Sequence, residues 1–184
     1  MPIKLRLASS SVTRAELLKA ANINFIQEGV GFDEDAIVAD SPKNFVYQAT
    51  LGKYNAALKK FGFDEMPLLC ADTVVTAHNK ILRKAKSKDD ARNILMTQSR
   101  SVTSIITCMI YQSSYVTLMD ISQTDYLFSN FDLESLELYL QGGEWRGKAG
   151  ACMVEGFCKP YIKEVRGYES TAMGLSVEVL KAFM

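Results

Sequence analysis

Histidine is nearly absent from this chain, with His78 the only one. A His-based catalytic triad therefore has a single base to draw on, and His78-Asn79-Lys80 reads as an exposed hairpin turn. Charge of one sign is also missing. Lys plus Arg and Asp plus Glu each number 21, so no bulk field recruits nucleic acid or an anionic membrane, and any anion site must be built locally. No apolar run approaches the ~18–20 residues that span a bilayer. Lys4 and Arg6 interrupt the start of the chain where a signal peptide would need an apolar stretch. The expectation is a cytoplasmic protein with neither nucleic acid nor membrane as partner. Cysteine is sparse and has no metal spacing. Cys70, Cys108, Cys152 and Cys158 form neither a zinc-ligand pattern nor a Cys-x-x-Cys pair. Cys70 and Cys108 sit in apolar runs as small core residues. Cys152 and Cys158 could meet across a turn, or remain buried thiols. Repeats and low-complexity linkers are lacking too, so residues 1–184 read as one domain.

What is present is enough apolar material for a substantial core, 48% of the chain. Residues Ile3–Ala8 read as a strand, Val12–Ala21 as a helix stopped by Asn22, and Asn24–Glu28 as a second strand. A long helix starts at Ser41-Pro42 and runs to about Lys60. Pro67–Ala77 is a near-continuous apolar run, the mark of a strand buried on both faces. Ser87-Lys88-Asp89-Asp90 starts another helix, with acids in its first turn. Residues 101–111 and 115–128 alternate and are rich in Val, Ile, Thr and Tyr, as in two long antiparallel strands. A helix over 132–140, a strand over 157–165 and a last helix over 171–183 complete the chain. Alternating strands and helices with antiparallel pairing in the second half predict an α/β fold with a mixed sheet.

Four places carry chemistry. Ser9-Ser10-Ser11 lies at the first strand-to-helix turn with Arg14 one turn on. The serines read either as helix caps or as an anion cradle, where hydroxyls, helix N–H groups and a planar guanidinium suit phosphate. Asp33-Glu34-Asp35 is either a solvated acidic turn or a source of hard oxygen ligands for a divalent cation. Lys53 falls inside the apolar arc of the long helix, which requires that its ammonium meet an anion or snorkel out. Asp72 interrupts the central strand. A carboxylate there must be paired, hydrogen-bonded, metal-bound or neutral. Near the glycine-rich stretch 142–156, Trp145 reads either as a pocket cover or as a hydrophobic anchor.

The pattern Ala8-Ser9-x-Ser11-x-x-Arg14-x-x-Leu17-Leu18 resembles the opening signature of the Maf family, the septum-formation-inhibitor-like nucleoside triphosphate pyrophosphatases. Further matches follow in order: the acids near residue 34, Lys53, Ala71-Asp72-Thr73, Lys84, Gly147-Lys148-Ala149-Gly150-Ala151, Glu155-Gly156 and Gly174-Leu175. The resemblance implies an elongated, partly antiparallel mixed sheet flanked by helices, with two lobes and a central cleft as in inosine triphosphate pyrophosphatases, often in a homodimer. It implies cleavage of a nucleoside triphosphate to the monophosphate and pyrophosphate, with divalent Mg or Mn. Asp72 would be the general base beside the metal, which Asp33, Glu34 and Asp72 would hold. Ser9, Ser11, Arg14, Lys53, Lys84 and Lys148 would line the triphosphate. Thr13, Thr73 and Glu155 match positions that tune base choice. Thr13 replaces a usual arginine. Thr73 resembles the subgroup acting on thymidine and uridine triphosphates, and Glu155 the subgroup preferring a methylated guanosine triphosphate, so no base is assigned. The alternative that the family name suggests is a nucleotide-binding regulator of septum formation with little turnover.

Overall fold

The structure, a computed structural model, describes residues 4–34 and 36–184. Ile3 of the first predicted strand and Asp35 of the acidic loop lie outside them. The elements are β1 (Lys4–Leu7), α1 (Val12–Ala20), β2 (Asn24–Gln27), α2 (Pro42–Phe61), β3 (Leu68–Ala77), β4 (Lys80–Ile81), α3 (Lys88–Gln98), β5 (Val102–Gln112), β6 (Thr117–Phe128), α4 (Leu133–Gly142), β7 (Ile162–Arg166), α5 (Glu169–Ala172) and α6 (Val177–Lys181). A short 3-10 turn at Lys159–Tyr161 precedes β7.

The helix starts are set locally. Ser11, Ser41, Ser87 and Asp132 each accept a hydrogen bond from the backbone N–H three residues on. Such caps contribute about 1 kcal/mol each. His78 and Asn79 take positive φ at the β3–β4 turn, as a tight two-residue hairpin requires.

The strands form one mixed seven-stranded sheet in the order β2-β1-β3-β5-β6-β7, with β4 paired to β3. β1 runs parallel to both β2 and β3, whereas the β3–β4 and β6–β7 pairs are antiparallel. The chain divides into two compact units: residues 1–73, 106–123 and 168–184 in one, and residues 74–105 and 124–167 in the other. β3, β5 and β6 each contribute residues to both.

In the first unit, the two-residue period of β3 sorts its side chains by face. Leu69 and Ala71 pack with Leu5, Leu7, Leu18, Leu175 and Leu180, the cluster that α1 and α6 cover. Leu68 and Cys70 pack instead with Ala57 and Leu58 of α2. Helices thus lie on both faces of β3, which explains its unbroken apolar character. In the second unit, Phe128, Phe131, Tyr139, Phe157 and Tyr161 form a chain of stacked and edge-on rings. Arg92 of α3 grips Glu137 of α4 with two hydrogen bonds of 2.8 and 2.7 Å.

Two predicted elements are corrected. The strand over 157–165 begins only at Ile162, because Pro160 lacks a backbone donor and the preceding residues coil into the 3-10 turn. The last helix is not continuous over 171–183. It breaks into α5 and α6 at Gly174, whose φ of +105° no right-handed helix contains.

Candidate active site

The same alternation that builds the core places two consecutive side chains of β3 on opposite faces. Asp72 follows Leu68 and Cys70 toward α2, and Thr73 follows Leu69 and Ala71 toward α1 and the C-terminal turn. A polar group forms at each.

On the α2 face, Lys53 makes ion pairs with both Asp72 and Glu34. Its ammonium is held between two carboxylates and does not snorkel out. Asp72 is only 6% exposed. Burial raises the pKa of its carboxyl, Lys53 opposes that rise by charge and hydrogen bond, and the charge of Glu34 adds to it. Glu34 is held in place from behind. The ring of Phe32, two residues earlier, lies directly over Gly52 of α2, where a Cβ would overlap it. A bare helix position beside Lys53 thus seats the acidic loop. Asp33, between Phe32 and Glu34, is exposed.

On the α1 face, Arg14 makes three hydrogen bonds. Its Nε donates to the Gly174 carbonyl at 2.8 Å, one terminal nitrogen to Ser9 Oγ at 3.1 Å, and the other to Thr73 Oγ1 at 3.1 Å. Burial pulls the guanidinium's pKa down, while Asp72 and Glu34 push it back up. The two polar groups therefore feel each other electrostatically. A guanidinium has five N–H donors, so one on each terminal nitrogen is left over. Ser9 Oγ also accepts from the Ser11 N–H at 3.2 Å. With both lone pairs taken by N–H donors, what Ser9 has left to offer is its hydroxyl proton. Ser11 caps α1 by accepting from the Arg14 N–H at 3.3 Å. The cap and the spare donors of Ser9 and Arg14 thus share one turn. Gln27 fixes that turn, donating from its amide nitrogen to the carbonyls of Ser9 and Ser11 at 2.9 and 3.0 Å. Thr13 is half-buried in the first turn of α1.

The remaining predicted residues belong to the second unit. Lys84 and Lys148 are both exposed. Lys84 is bridged to Ala149 as an isolated antiparallel pair, and the Gly150 N–H donates to the Leu82 carbonyl at 3.0 Å. The two lysine-bearing segments therefore run side by side. Glu155 is exposed at a tight turn closed by the Gly156 and Cys158 N–H groups on the Met153 carbonyl. That turn brings Cys152 and Cys158 together as a disulfide, so of the two readings the meeting across a turn holds and that of buried thiols does not. Trp145 is a buried anchor, its indole N–H donating to the Leu140 carbonyl at the end of α4. Cys70 and Cys108 are buried and free, their thiols pushed up to about 12 and about 11 by burial.

Sequence reasoning missed Gln27, Gly52, Thr107, Thr171 and the carbonyl of Gly174. For Gly174 a signal existed, since a glycine inside a predicted helix lowers the case for its continuing. The others act through contacts distant in sequence.

Among the described residues, no three or more His, Cys, Asp or Glu side chains are grouped to hold a metal. Two carboxylates, Glu34 and Asp72, do converge on one point, the Lys53 ammonium. That donor set fits a hard cation such as Mg²⁺, which commonly takes one or two carboxylates and completes its shell with substrate phosphates and water.

A mixed sheet flanked by helices, with spare hydrogen-bond donors at the first strand-to-helix turn and a buried carboxylate–lysine pair on the opposite face of β3, defines an α/β protein with a charged polar site. The chain belongs to the Maf family: residues 4–184 match the family model described as Maf-like protein. It is 55% identical over 178 residues to the nucleoside triphosphate pyrophosphatase of a Nitratiruptor species, covering 96% of each chain. It is 37% identical over 182 residues to the protein of that name from Campylobacter jejuni, covering 98% of this chain and 100% of the other. It is 36% identical to that of Helicobacter pylori, covering 97% and 93%. Among solved structures, the Ham1 protein of Staphylococcus aureus aligns over 68% of this chain and 71% of its own, with a TM-score of 0.46 and 11% identity.

Proposed function

We propose that this protein is a nucleoside triphosphate pyrophosphatase that hydrolyses its substrate to the nucleoside monophosphate and pyrophosphate, with a divalent cation. The observation that carries the reading is the buried Asp72 carboxylate held against Lys53, within electrostatic reach of Arg14, whose guanidinium retains two N–H groups to spare. Relatives that match nearly the whole length of the chain bear the name of that activity.

In this reading the spare N–H groups of Arg14 and the hydroxyl of Ser9 donate to phosphate oxygens. The N-terminal N–H groups of α1 add to the same field. Asp72 orients the attacking water and accepts its proton. Burial raises the proton affinity of that carboxylate, and Lys53 opposes the rise. Glu34 and Asp72 would hold the cation, which would screen the phosphate charge and make water a better nucleophile. With a cation satisfying the charge of Glu34 and Asp72, Lys53 would be free to donate to a phosphate oxygen. The water oxygen bonds to phosphorus, the bridging P–O bond breaks, and pyrophosphate leaves. Catalysis here is mainly positioning and charge neutralisation. The roles that the family resemblance gives Asp33, Thr13, Lys84, Lys148 and Glu155 rest on that resemblance.

The test is pyrophosphate release from a panel of canonical and modified nucleoside triphosphates with Mg²⁺ or Mn²⁺, wild type beside Asp72→Asn. The expected result is turnover by the wild type and a loss of roughly 10²-fold or more in the variant, the scale of a lost general base. Binding without turnover on any nucleotide would overturn the enzyme and leave the regulator.

A further inference from the structure

We propose that Thr107 is a positioning residue for phosphate binding: a one-way hydrogen-bond chain through Thr73 sets where Arg14 points. The proposal rests on the reading of Arg14 as a phosphate ligand. Thr107 lies on β5 and is fully buried, at 0% exposure, as is Thr171. Its Oγ1 lies 2.9 Å from Thr73 Oγ1 and 2.7 Å from the Thr171 carbonyl oxygen.

The proton assignment has one solution. A carbonyl only accepts, so the single proton of Thr107 goes to Thr171. In the bond between the two hydroxyls, Thr73 must then donate. Its proton spent, Thr73 offers Arg14 a lone pair, which a guanidinium requires, since it has no acceptor of its own. The chain runs Arg14 to Thr73 to Thr107 to the Thr171 carbonyl, each link donating to the next. Reversing the middle link would spend the Thr107 proton on Thr73 and leave two oxygens, Thr107 Oγ1 and the Thr171 carbonyl, facing each other at 2.7 Å with no proton between them.

The end of the chain is fixed by the C-terminal turn. The Thr171 carbonyl also accepts from the Gly174 N–H at 3.1 Å. The Gly174 carbonyl in turn accepts from Arg14 Nε. One turn thus supplies both the terminus of the relay and the second anchor of the guanidinium. Gly174 is suited to this by more than its φ. A Cβ there would sit 3.2 Å from Thr73 Oγ1 and 3.4 Å from Arg14 Nε. Arg14 is therefore held at three corners, and its two spare N–H groups keep a fixed direction. Thr73 is assigned an acceptor's role toward Arg14, with no proton left for a nucleobase.

Thr107→Val keeps the shape and removes the acceptor that orients Thr73. Two readouts test it. Calorimetric titration with inorganic pyrophosphate should give about tenfold weaker binding, the scale of one hydrogen bond to a charged group. In turnover, KM for the triphosphate should rise by about as much with kcat changed less than about twofold, since binding is lost equally in ground and transition states. Thr107→Ser, which keeps the hydroxyl, should restore both. In an Arg14→Ala background, Thr107→Val should cost nothing further, because its effect passes through Arg14. Wild-type pyrophosphate affinity in Thr107→Val overturns the proposal. So does an equal loss in both backgrounds, or a failure of serine to rescue. If Thr107→Val does not fold, Thr73→Val removes the same link together with the Arg14 acceptor and should weaken pyrophosphate binding at least as much. The calorimetric arm reads Arg14 even if no nucleotide is turned over, so failure of the pyrophosphatase reading and failure of this one are distinguishable.

Discussion

At the scale of single residues, Asp72 shows how neighbours divide the control of one proton. Burial raises its pKa and Lys53 lowers it, with burial the larger effect. The carboxyl should therefore titrate above the ordinary aspartate value of 3.8 in the metal-free protein. Removing the ammonium removes the larger of the forces that favour the ionised form, so Lys53→Met should move that midpoint further upward. The sign is fixed: loss of a nearby cation favours the protonated acid. Carbonyl-carbon NMR titration of labelled aspartate in the two proteins checks it, and a downward move in the variant would contradict the pairing. Asp72 and Lys53 were both legible in the sequence, because each breaks an apolar pattern that nothing else explains. Thr107 was not. It lies in a strand rich in β-branched residues, where one more threonine is ordinary, and its partners lie 34 and 64 residues away.

At the scale of elements, local chemistry was readable and long-range shape was not. The caps at Ser11, Ser41 and Ser87 stand where side-chain type alone placed them. The break at Gly174 was missed because the apolar spacing of Met173, Val177 and Leu180 continues through it. What overrides that spacing is the tie from the Gly174 carbonyl to a helix 160 residues earlier. Gly52 is the converse case. In the interior of α2 it lowers helix stability by about 1 kcal/mol relative to alanine, a cost that the seat for Phe32 explains. Gly52→Ala should leave thermal stability equal or slightly raised, because the helix gains and only a partly exposed ring is displaced. With the ring goes the loop carrying Glu34, so, on the proposed role of Glu34, turnover should fall by roughly 10- to 10²-fold, the scale of a misplaced group near the chemistry. A thermal melt beside an activity assay separates the two effects.

At the scale of the whole molecule, three strands belong to both compact units. β3, β5 and β6 each pass from one to the other without leaving the sheet. Neither unit can lose its strands while the other keeps its own intact, so unfolding should be a single cooperative transition. Trp145 provides the check. It is the only tryptophan and lies in the second unit, whereas far-ultraviolet circular dichroism reports both units. The urea midpoints from the two probes should coincide, and separate midpoints would show that the units unfold apart. The α/β class and mixed sheet followed from the order and type of elements. The division into units did not, since it depends on which distant segments meet.

The tie between Gly174 and Arg14 also bears on when a new chain becomes competent. Synthesis proceeds from the N-terminus, and early segments begin to fold while later ones are still being added. Ser9, Arg14, Lys53 and Asp72 all emerge well before the turn that anchors Arg14. A nascent chain therefore carries its charged groups early, but an arginine that still lacks one of its three acceptors, the Gly174 carbonyl, and the Thr171 carbonyl that ends the chain through Thr73 and Thr107. On the proposed role of Arg14, its fixed orientation arrives only with the turn at Gly174, so a ribosome-bound or prematurely terminated product would be a weak competitor for cellular nucleotides.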